Sequence, residues 1–316
     1  MITVLAGGVG AARFLAGLLQ EVAATDVTAI VNVGDDTVLH GLHISPDLDT
    51  VTYTLAGAIN PDTGWGLVDE TWNAMATVGR YGGSTWFGLG DRDLGTHLYR
   101  TGRLADGAAL SVVTAEVAAA WGLGLRVTPV TDDELRTMVT IDDLDGVRRE
   151  VGFQEYFVGR RHDVPVSALR FAGADSAAPA PGVLEAIAAA EVVVIAPSNP
   201  LVSIAPVLAV PGVREATVAA RDRVVAVSPI VAGAALKGPA DRLLRELGHE
   251  VSVLGVARLY APLASMLVID DVDSDHADAV AAEGIRPVVT PTVMSSPEVS
   301  AALARTTISA RRPAAP

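Results

Sequence analysis

Short, mostly apolar runs recur along the chain, separated by stretches whose apolar positions repeat every three or four residues. The first run, Ile2-Thr3-Val4-Leu5-Ala6, leads into Gly7-Gly8-Val9-Gly10 and then into an amphipathic segment over residues 13–22. An apolar run bounded by turn residues reads as a buried strand, and the 3.6-residue period reads as a helix. Residues 27–33 form a second apolar run, so the N-terminus spells strand, glycine turn, helix, strand. Such a β-α-β unit builds a parallel sheet. Further apolar runs at 191–196, 223–227, 252–256, 266–269 and 287–289 predict later strands with helices between them.

The middle of the chain breaks this rhythm. Ser45-Pro46-Asp47 predicts a helix start, with Ser45 as N-cap and Pro46 at the first helical position. Residues 57–90 are dense in glycine, tryptophan and polar side chains and read as a partly helical excursion beyond the sheet. Residues 104–110 and 112–120 are helical in period, and strand-like segments at 137–140 and 153–158 flank an acidic turn. The predicted fold is α/β, a Rossmann-like, mostly parallel sheet flanked by helices, with an inserted α+β subdomain. Residues 1–56 and 182–306 make the nucleotide-binding core, 57–181 the insert, and 307–316 a frayed tail rich in Ala, Arg and Pro.

Composition narrows the partners. The chain has 316 residues, half of them hydrophobic, but only 4% aromatic, so aliphatic side chains must fill a large core. A formal net charge of −14 argues against a nucleic-acid groove or an anionic membrane surface, which need basic patches. Any phosphate site must then use local N–H groups, a few Arg or Lys, or a metal. Cysteine is absent, which fits a reducing cytoplasm. No charged segment precedes the first strand and no long uncharged apolar stretch occurs, so neither a signal peptide nor a membrane span is expected. The expected location is cytoplasmic.

Four constellations can carry chemistry. Gly7, Gly8 and Gly10 make a turn whose following helix presents free N–H groups and a partial positive charge, an anion site suited to phosphate. Arg13, one turn on, adds a cation. The dinucleotide fingerprint is incomplete, because Arg13 takes its third position and no acid ends the second strand. Next, Asp35, Asp36, Asp47 and Asp49 gather near the carboxyl edge of the sheet. Helix-dipole complementation explains one of them. Four repel one another unless a cation lies among them, and Mg²⁺, with its preference for oxygen ligands, is the simplest candidate; the residues alone leave Asp35 or Asp49 open as its ligand.

A helix beginning near Asp93 would put Asp93, His97 and Arg100 on one face, either meeting a ligand or forming a solvated ion-paired surface. Ser198 and Asn199, between an apolar strand and a helix, either cap that helix or contact a base, ribose or phosphate. Lys237, the only lysine, is a phosphate partner or a solvated side chain. Trp65, Trp72, Trp86 and Phe87 pack a core or offer a stacking surface for a flat heterocycle.

Six motifs stand in an order that resembles the 2-phospho-L-lactate transferases. They are Ala6-Gly7-Gly8-Val9-Gly10-Ala11-Ala12-Arg13, Val31-Asn32-Val33-Gly34-Asp35-Asp36, Ser45-Pro46-Asp47-Leu48-Asp49-Thr50, Leu89-Gly90-Asp91-Arg92-Asp93, Ala196-Pro197-Ser198-Asn199-Pro200 and Ser228-Pro229-Ile230. Gly64-Trp65-Gly66 and Glu70-Thr71-Trp72 resemble the actinobacterial branch. Ala12 departs from the glycine common in relatives, and the match loosens after Asp270. The resemblance implies a step in making the deazaflavin coenzyme F420. A guanosine diphospho adduct of 2-phospholactate, or of phosphoenolpyruvate in the actinobacterial branch, gives its phosphorylated three-carbon acid to the ribityl hydroxyl of the deazaflavin Fo, and GMP leaves. It also implies Mg²⁺ and a homodimer.

On that resemblance Asp35 and Asp49 hold the metal, and Asp49 or Asp93 helps remove the hydroxyl proton. Gly7, Gly8, Gly10 and Arg13 receive donor phosphate, and Ser198 and Asn199 hold the guanosine part. Asp91, Arg92 and His97, with the Trp-rich excursion, border the deazaflavin. Two other classes stay open: a non-catalytic, nucleotide-sugar-binding regulator of the same fold, and a nicotinamide oxidoreductase. The second is weakened by Arg13 and the missing ribose acid.

Overall fold

A computed structural model describes residues 1–143, 145–236 and 238–311. In chain order the elements are β1 (Ile2–Ala6), α1 (Gly8–Leu18), β2 (Val27–Val31), β3 (Thr37–Leu39), β4 (Leu42–Ile44), α2 (Pro46–Leu55), α3 (Asn73–Arg80), α4 (Asp93–Ala105) and α5 (Leu110–Ala120). There follow β5 (Arg126–Pro129), β6 (Arg136–Asp142), β7 (Arg148–Gly152), β8 (Val166–Ala172), α6 (Val183–Ala189), β9 (Val192–Ile195), α7 (Ala205–Ala209), α8 (Val213–Ala219) and β10 (Val224–Val227). The chain closes with β11 (Ile230–Val231), β12 (Ala234–Ala235), α9 (Ala240–Glu246), α10 (Val253–Tyr260), β13 (Met266–Ile269), α11 (Ala277–Ala282), β14 (Arg286–Val289) and α12 (Pro297–Ser309).

Seven strands form one parallel sheet in the order β14-β13-β10-β9-β1-β2-β5. Every residue of β1, β2, β9, β10 and β13 is buried, as a parallel sheet covered on both faces requires. The α/β reading holds. Residues 126–129, assigned from sequence to the insert, pair as β5 with β2 and complete the main sheet. The 57–181 segment therefore contributes to the core as well as standing on it. Its own antiparallel sheet, β7-β6-β8, docks at the carboxyl end of β2 through Thr137 N–H, which donates to Gly34 C=O at 2.7 Å.

Several expected elements differ. Residues 252–256 are not a strand: Ser252 caps α10, accepting from the N–H groups of Leu254 and Gly255. Its apolar run is the buried face of a short helix, which periodicity over so few residues cannot separate from a strand. Residues 104–110 do not form one helix, because Gly107, at φ +87, ends α4 before α5 begins. Residues 155–159 form a π-helical turn rather than continuing a strand. The tail is helical through Ser309, with Thr307 fully buried, and residues 312–316 lie outside the described residues. Among the described residues no single helix is long and apolar enough to cross a membrane.

α1 lies between α2 and α12, and the approach to α12 is close enough that a Cβ on Gly17 would overlap the Ser300 backbone. Gly17→Ala is therefore expected to destabilise the fold by about 1–3 kcal/mol. Urea denaturation checks this, and an unchanged midpoint would show that the helices separate without strain.

Candidate active site

The sheet order runs outward from β1 in both directions, to β2 on one side and, later in the chain, to β9 on the other. Open α/β sheets bind ligands beyond the carboxyl ends of their strands at such a switch point. Here the glycine turn after β1 meets the 197–203 loop after β9. Ser198 donates its hydroxyl to Gly7 C=O at 2.8 Å. A Cβ on Gly10 would overlap the Pro197 carbonyl, and one on Gly7 would lie 2.8 Å from Ser203 Cβ and 2.9 Å from Asp47 Oδ2. Gly8, at φ +68, gives its N–H to the Asp47 carboxylate. Gly7 and Gly10 thus serve close packing, and a protein carboxylate already meets the Gly8 end of the predicted anion cradle.

Arg13 is exposed one turn into α1 and makes no ion pair among the described residues. Asn199 caps the next helical turn by accepting from Leu201 N–H, while its buried Nδ2 has no partner and stays free to donate. Lys237 lies outside the described residues.

The four aspartates do converge, but as two linked groups. Beside the glycine turn, Asn32 at the end of β2 donates to Asp47 Oδ2 at 2.9 Å and accepts from Gly34 N–H at 2.8 Å. Asp35 is 7% exposed, and its Oδ1 has no partner. Burial, with the charges of Asp47 and Asp36, pushes the Asp35 carboxyl well above its usual pKa. Burial also pushes Asp47 up to about 6, against hydrogen bonds from Asn32 and Gly8. Ser45 sits at the N-cap position of α2 but does not cap it; its hydroxyl donates to Asp36 Oδ2 at 2.6 Å. Asp36 rises to about 8 through burial, opposed by Ser45 and Arg100 and reinforced by Asp49 and Asp47.

The second group joins α2 to α4. Arg100 forks onto both oxygens of Asp49, with Nη1 at 3.1 Å from Oδ2. The same Nη1 lies 3.3 Å from His97 Nδ1. A guanidinium has no lone pair to offer, so this contact is a hydrogen bond only in the tautomer that leaves Nδ1 unprotonated. Nε2 is 3.2 Å from Asp93 Oδ2, and Tyr53 donates its hydroxyl to Asp93 Oδ1 at 2.7 Å. Burial would raise the Asp93 carboxyl, but His97, Tyr53 and Arg100 outweigh it and hold it below its usual pKa. The predicted face of Asp93, His97 and Arg100 exists, but it is buried rather than solvated.

Asp49, Asp93 and His97 are close enough to share a metal ion. Arg100 forks onto Asp49 and offsets one of the two carboxylate charges, so a cation here would compete with the guanidinium. An oxygen-ligated cation fits better where Asp35 Oδ1 is unpartnered. Asp49 bears on this edge through its charge on Asp36, and a carboxylate held by one guanidinium keeps acceptor positions in reserve. Replacing Asp49 by Asn would strand the Arg100 charge, a loss of about 3–5 kcal/mol for a buried pair.

The Asp91 carboxylate and one nitrogen of the exposed Arg92 are engaged within the protein. Asp91 accepts from the Thr71 hydroxyl, from Asn73 through both N–H and Nδ2, and from Ala74 N–H, which together hold its pKa down at about 2. Arg92 Nη1 donates to Val68 C=O at 2.6 Å. Their side chains fasten the excursion to α4. Beside the acids, a cleft of about 380 Å³ runs between the β3–β4 hairpin, α4 and the 132–136 loop, with Asp36, His43 and Ser45 in its wall. Trp65, Trp72 and Trp86 remain partly exposed on the excursion, while Phe87 packs with Ile44, Met75 and Leu89. Sequence reasoning missed Asn32, Tyr53 and Glu70 as parts of this centre. Asp36 and Asp47 were visible only as members of a cluster.

The family model for 2-phospho-L-lactate transferase CofD matches residues 2–306. The chain is 48% identical over 310 residues to the phosphoenolpyruvate transferase of Kitasatospora aureofaciens, covering 97% of this chain and 96% of that protein. It is 43% identical over 315 residues to the phosphoenolpyruvate transferase of Mycolicibacterium smegmatis, covering 96% of each. A crystal structure of a UPF0052 family protein from Bacillus halodurans superposes with a TM-score of 0.62 at 17% identity, covering 97% of this chain and 99% of that one, a likeness of fold.

The raised carboxyls make a signed prediction. Asp35, Asp36 and Asp47 hold protons more tightly folded than unfolded. The Asp36 contribution is fully present below about pH 4 and is lost as pH rises through about 8, and that of Asp47 is lost through about 6. With metal chelated, Asp36→Asn should gain stability over wild type by a few kcal/mol at pH 8 and by little at pH 4. Denaturant titrations across that range test it, and a pH-independent difference would mean Asp36 is ionised in the fold.

Proposed function

Because this chain belongs to the 2-phospho-L-lactate transferase CofD family, we propose that it moves a phosphoenolpyruvyl group from a guanosine diphospho donor to the ribityl hydroxyl of Fo and releases GMP. It is a transferase of the phosphoenolpyruvate or 2-phospho-L-lactate kind. Relatives named phosphoenolpyruvate transferases at 43–48% identity support the phosphoenolpyruvyl donor over the phospholactyl one. The structural observation that carries the reading is the buried acid cluster, with an unpartnered Asp35 oxygen, beside the glycine turn at the switch point.

The reaction needs charge neutralisation and in-line placement more than covalent help. The acceptor hydroxyl forms a bond to the phosphorus that bears the three-carbon acid. The bridging P–O bond breaks, and its electron pair leaves with GMP. Asp35 and Asp49 would hold Mg²⁺, which when bound offsets the negative charge of the two phosphates. The free Nδ2 of Asn199 and the exposed Arg13 supply donors on the donor side. Of the four aspartates, Asp36 is the one in the cleft wall, so it receives the hydroxyl proton in this reading. That moves proton removal from Asp49 or Asp93, which are engaged in the network with Arg100 and His97. The Trp-rich excursion borders the deazaflavin. A homodimer in the cytoplasm belongs to the same proposal, on the family likeness and the cysteine-free composition.

Incubating the protein with Mg²⁺, Fo and each guanylated donor, then weighing the products, should show the phosphoenolpyruvyl adduct of Fo together with GMP. No adduct from either donor would overturn the assignment. Asp35→Asn replaces a buried acid that leaves one oxygen without a partner, so it should lower turnover by about 10²-fold or more without lowering the melting temperature. Near-normal turnover would take Asp35 out of the mechanism. Chelation with EDTA should abolish transfer, and added Mg²⁺ should restore it.

A further inference from the structure

Two helices meet at the junction between the excursion and the buried network, and neither caps itself. α3 starts after Trp72 and α4 after Arg92, and neither residue's side chain caps the helix that follows. The first N–H groups of a helix have no partners inside it. At this junction each helix takes its cap from the other's leading segment. Glu70, ahead of α3, accepts from Arg92 N–H and Asp93 N–H at the start of α4, each at 2.8 Å. Asp91, ahead of α4, accepts from Asn73 N–H and Ala74 N–H at the start of α3, each at 3.0 Å.

The exchange is reinforced on both sides. Asp91 N–H donates to Thr71 C=O at 2.8 Å, and the Arg92 guanidinium holds Val68 C=O. Asp69 sits at φ +57, a conformation unfavourable for a side-chain-bearing residue, and the chain bends there just before Glu70. Gly90 leaves the room: a Cβ at this position would overlap the Glu70 carboxylate.

We infer that Glu70 and Asp91 form a reciprocal capping latch that positions the catalytic centre by fixing the N-terminus of α4. Asp93 is the first residue of α4, and His97 and Arg100 follow on its buried face. Through Arg100 the helix sets Asp49, and through Asp93 it sets Tyr53. Loss of the Glu70 cap frees the turn that carries Asp93, and misplacement spreads along that face to the acid cluster. Glu70 and Asp91 touch no reacting atom in this account, so both are positioning residues. The inference rests on the transferase reading for its link to turnover, but the latch itself is a property of the fold.

The test uses three variants of the full chain. Glu70→Ala deletes the cap. Gly90→Ala leaves Glu70 in place but pushes its carboxylate off the two N–H groups, a shift that costs the fold little because the displaced atoms end a flexible side chain. Glu70→Gln keeps one acceptor oxygen. Glu70→Ala and Gly90→Ala should each lower kcat by roughly ten- to hundredfold while leaving the KM for the guanylated donor within about threefold. Glu70→Gln should recover part of the loss.

Amide hydrogen exchange at Arg92 and Asp93 should quicken in Glu70→Ala and Gly90→Ala, independently of any assay of turnover. Wild-type kcat and unchanged exchange in Glu70→Ala would overturn the latch. So would a silent Gly90→Ala beside an inactive Glu70→Ala, because Glu70 would then act by another route. A wild-type protein without transferase activity would instead defeat the functional reading, and exchange at Arg92 and Asp93 would decide the latch alone.

Discussion

The ion pair between Arg100 and Asp49 is the contact on which the centre depends. Asp49 belongs to α2, in the Rossmann-like part of the chain, and Arg100 to α4, reached only through the excursion. Both side chains are nearly sealed from solvent. Two charges leave water at considerable expense, and the attraction repays it only with good geometry and further hydrogen bonds. Here the guanidinium is bidentate and also meets His43 C=O and His97 Nδ1. Its remaining field reaches Asp36 and opposes the rise in that carboxyl's pKa. One cation thus ties two parts of the chain and tempers an acidic cluster.

That cluster is the opposite case. Asp35 and Asp36 each bury an oxygen without a partner, close to other carboxylates. A fold selected for stability alone would replace them with apolar or amide side chains, since buried polar groups left unsatisfied cost free energy. Such local departures from good packing concentrate where function needs them. The contrast is chemical. The Asp49–Arg100 pair finds its partners within the protein, whereas Asp35 Oδ1, like His97 Nε2, is buried without a hydrogen bond. Phosphate chemistry with a divalent cation is one reaction class that would use such an oxygen.

Much of this was legible in the sequence. Runs dominated by apolar side chains marked β1, β2, β9, β10 and β13, because strands buried on both faces leave little room for polar positions. Spacing put Asp93, His97 and Arg100 on one face on the condition that a helix begins near Asp93, and α4 begins there. What the sequence concealed were partners distant along the chain. Arg100 lies 51 residues from Asp49, and Glu70 lies 23 from Asp93, so no local pattern reports their contact. The same limit hides the partners of Asp91: an acid after glycines looks alike whether it meets a substrate or another helix. The glycine turn suggested phosphate, and only the fold shows Asp47 against Gly8. Ser252 misled in the other direction, since a cap followed by a short apolar run resembles a strand.

The claim that Arg100 and Asp49 act as one buried unit is tested most directly by a double-mutant cycle on stability, using Asp49→Asn, Arg100→Met and the pair together. Each single change should cost about 3–5 kcal/mol because it leaves a charge buried without its partner. The double variant should lose markedly less than the sum, with a coupling of about 2 kcal/mol or more. Strict additivity of the two losses would contradict the account, because it would mean that the two side chains hold their places independently and that nothing electrostatic joins α2 to α4.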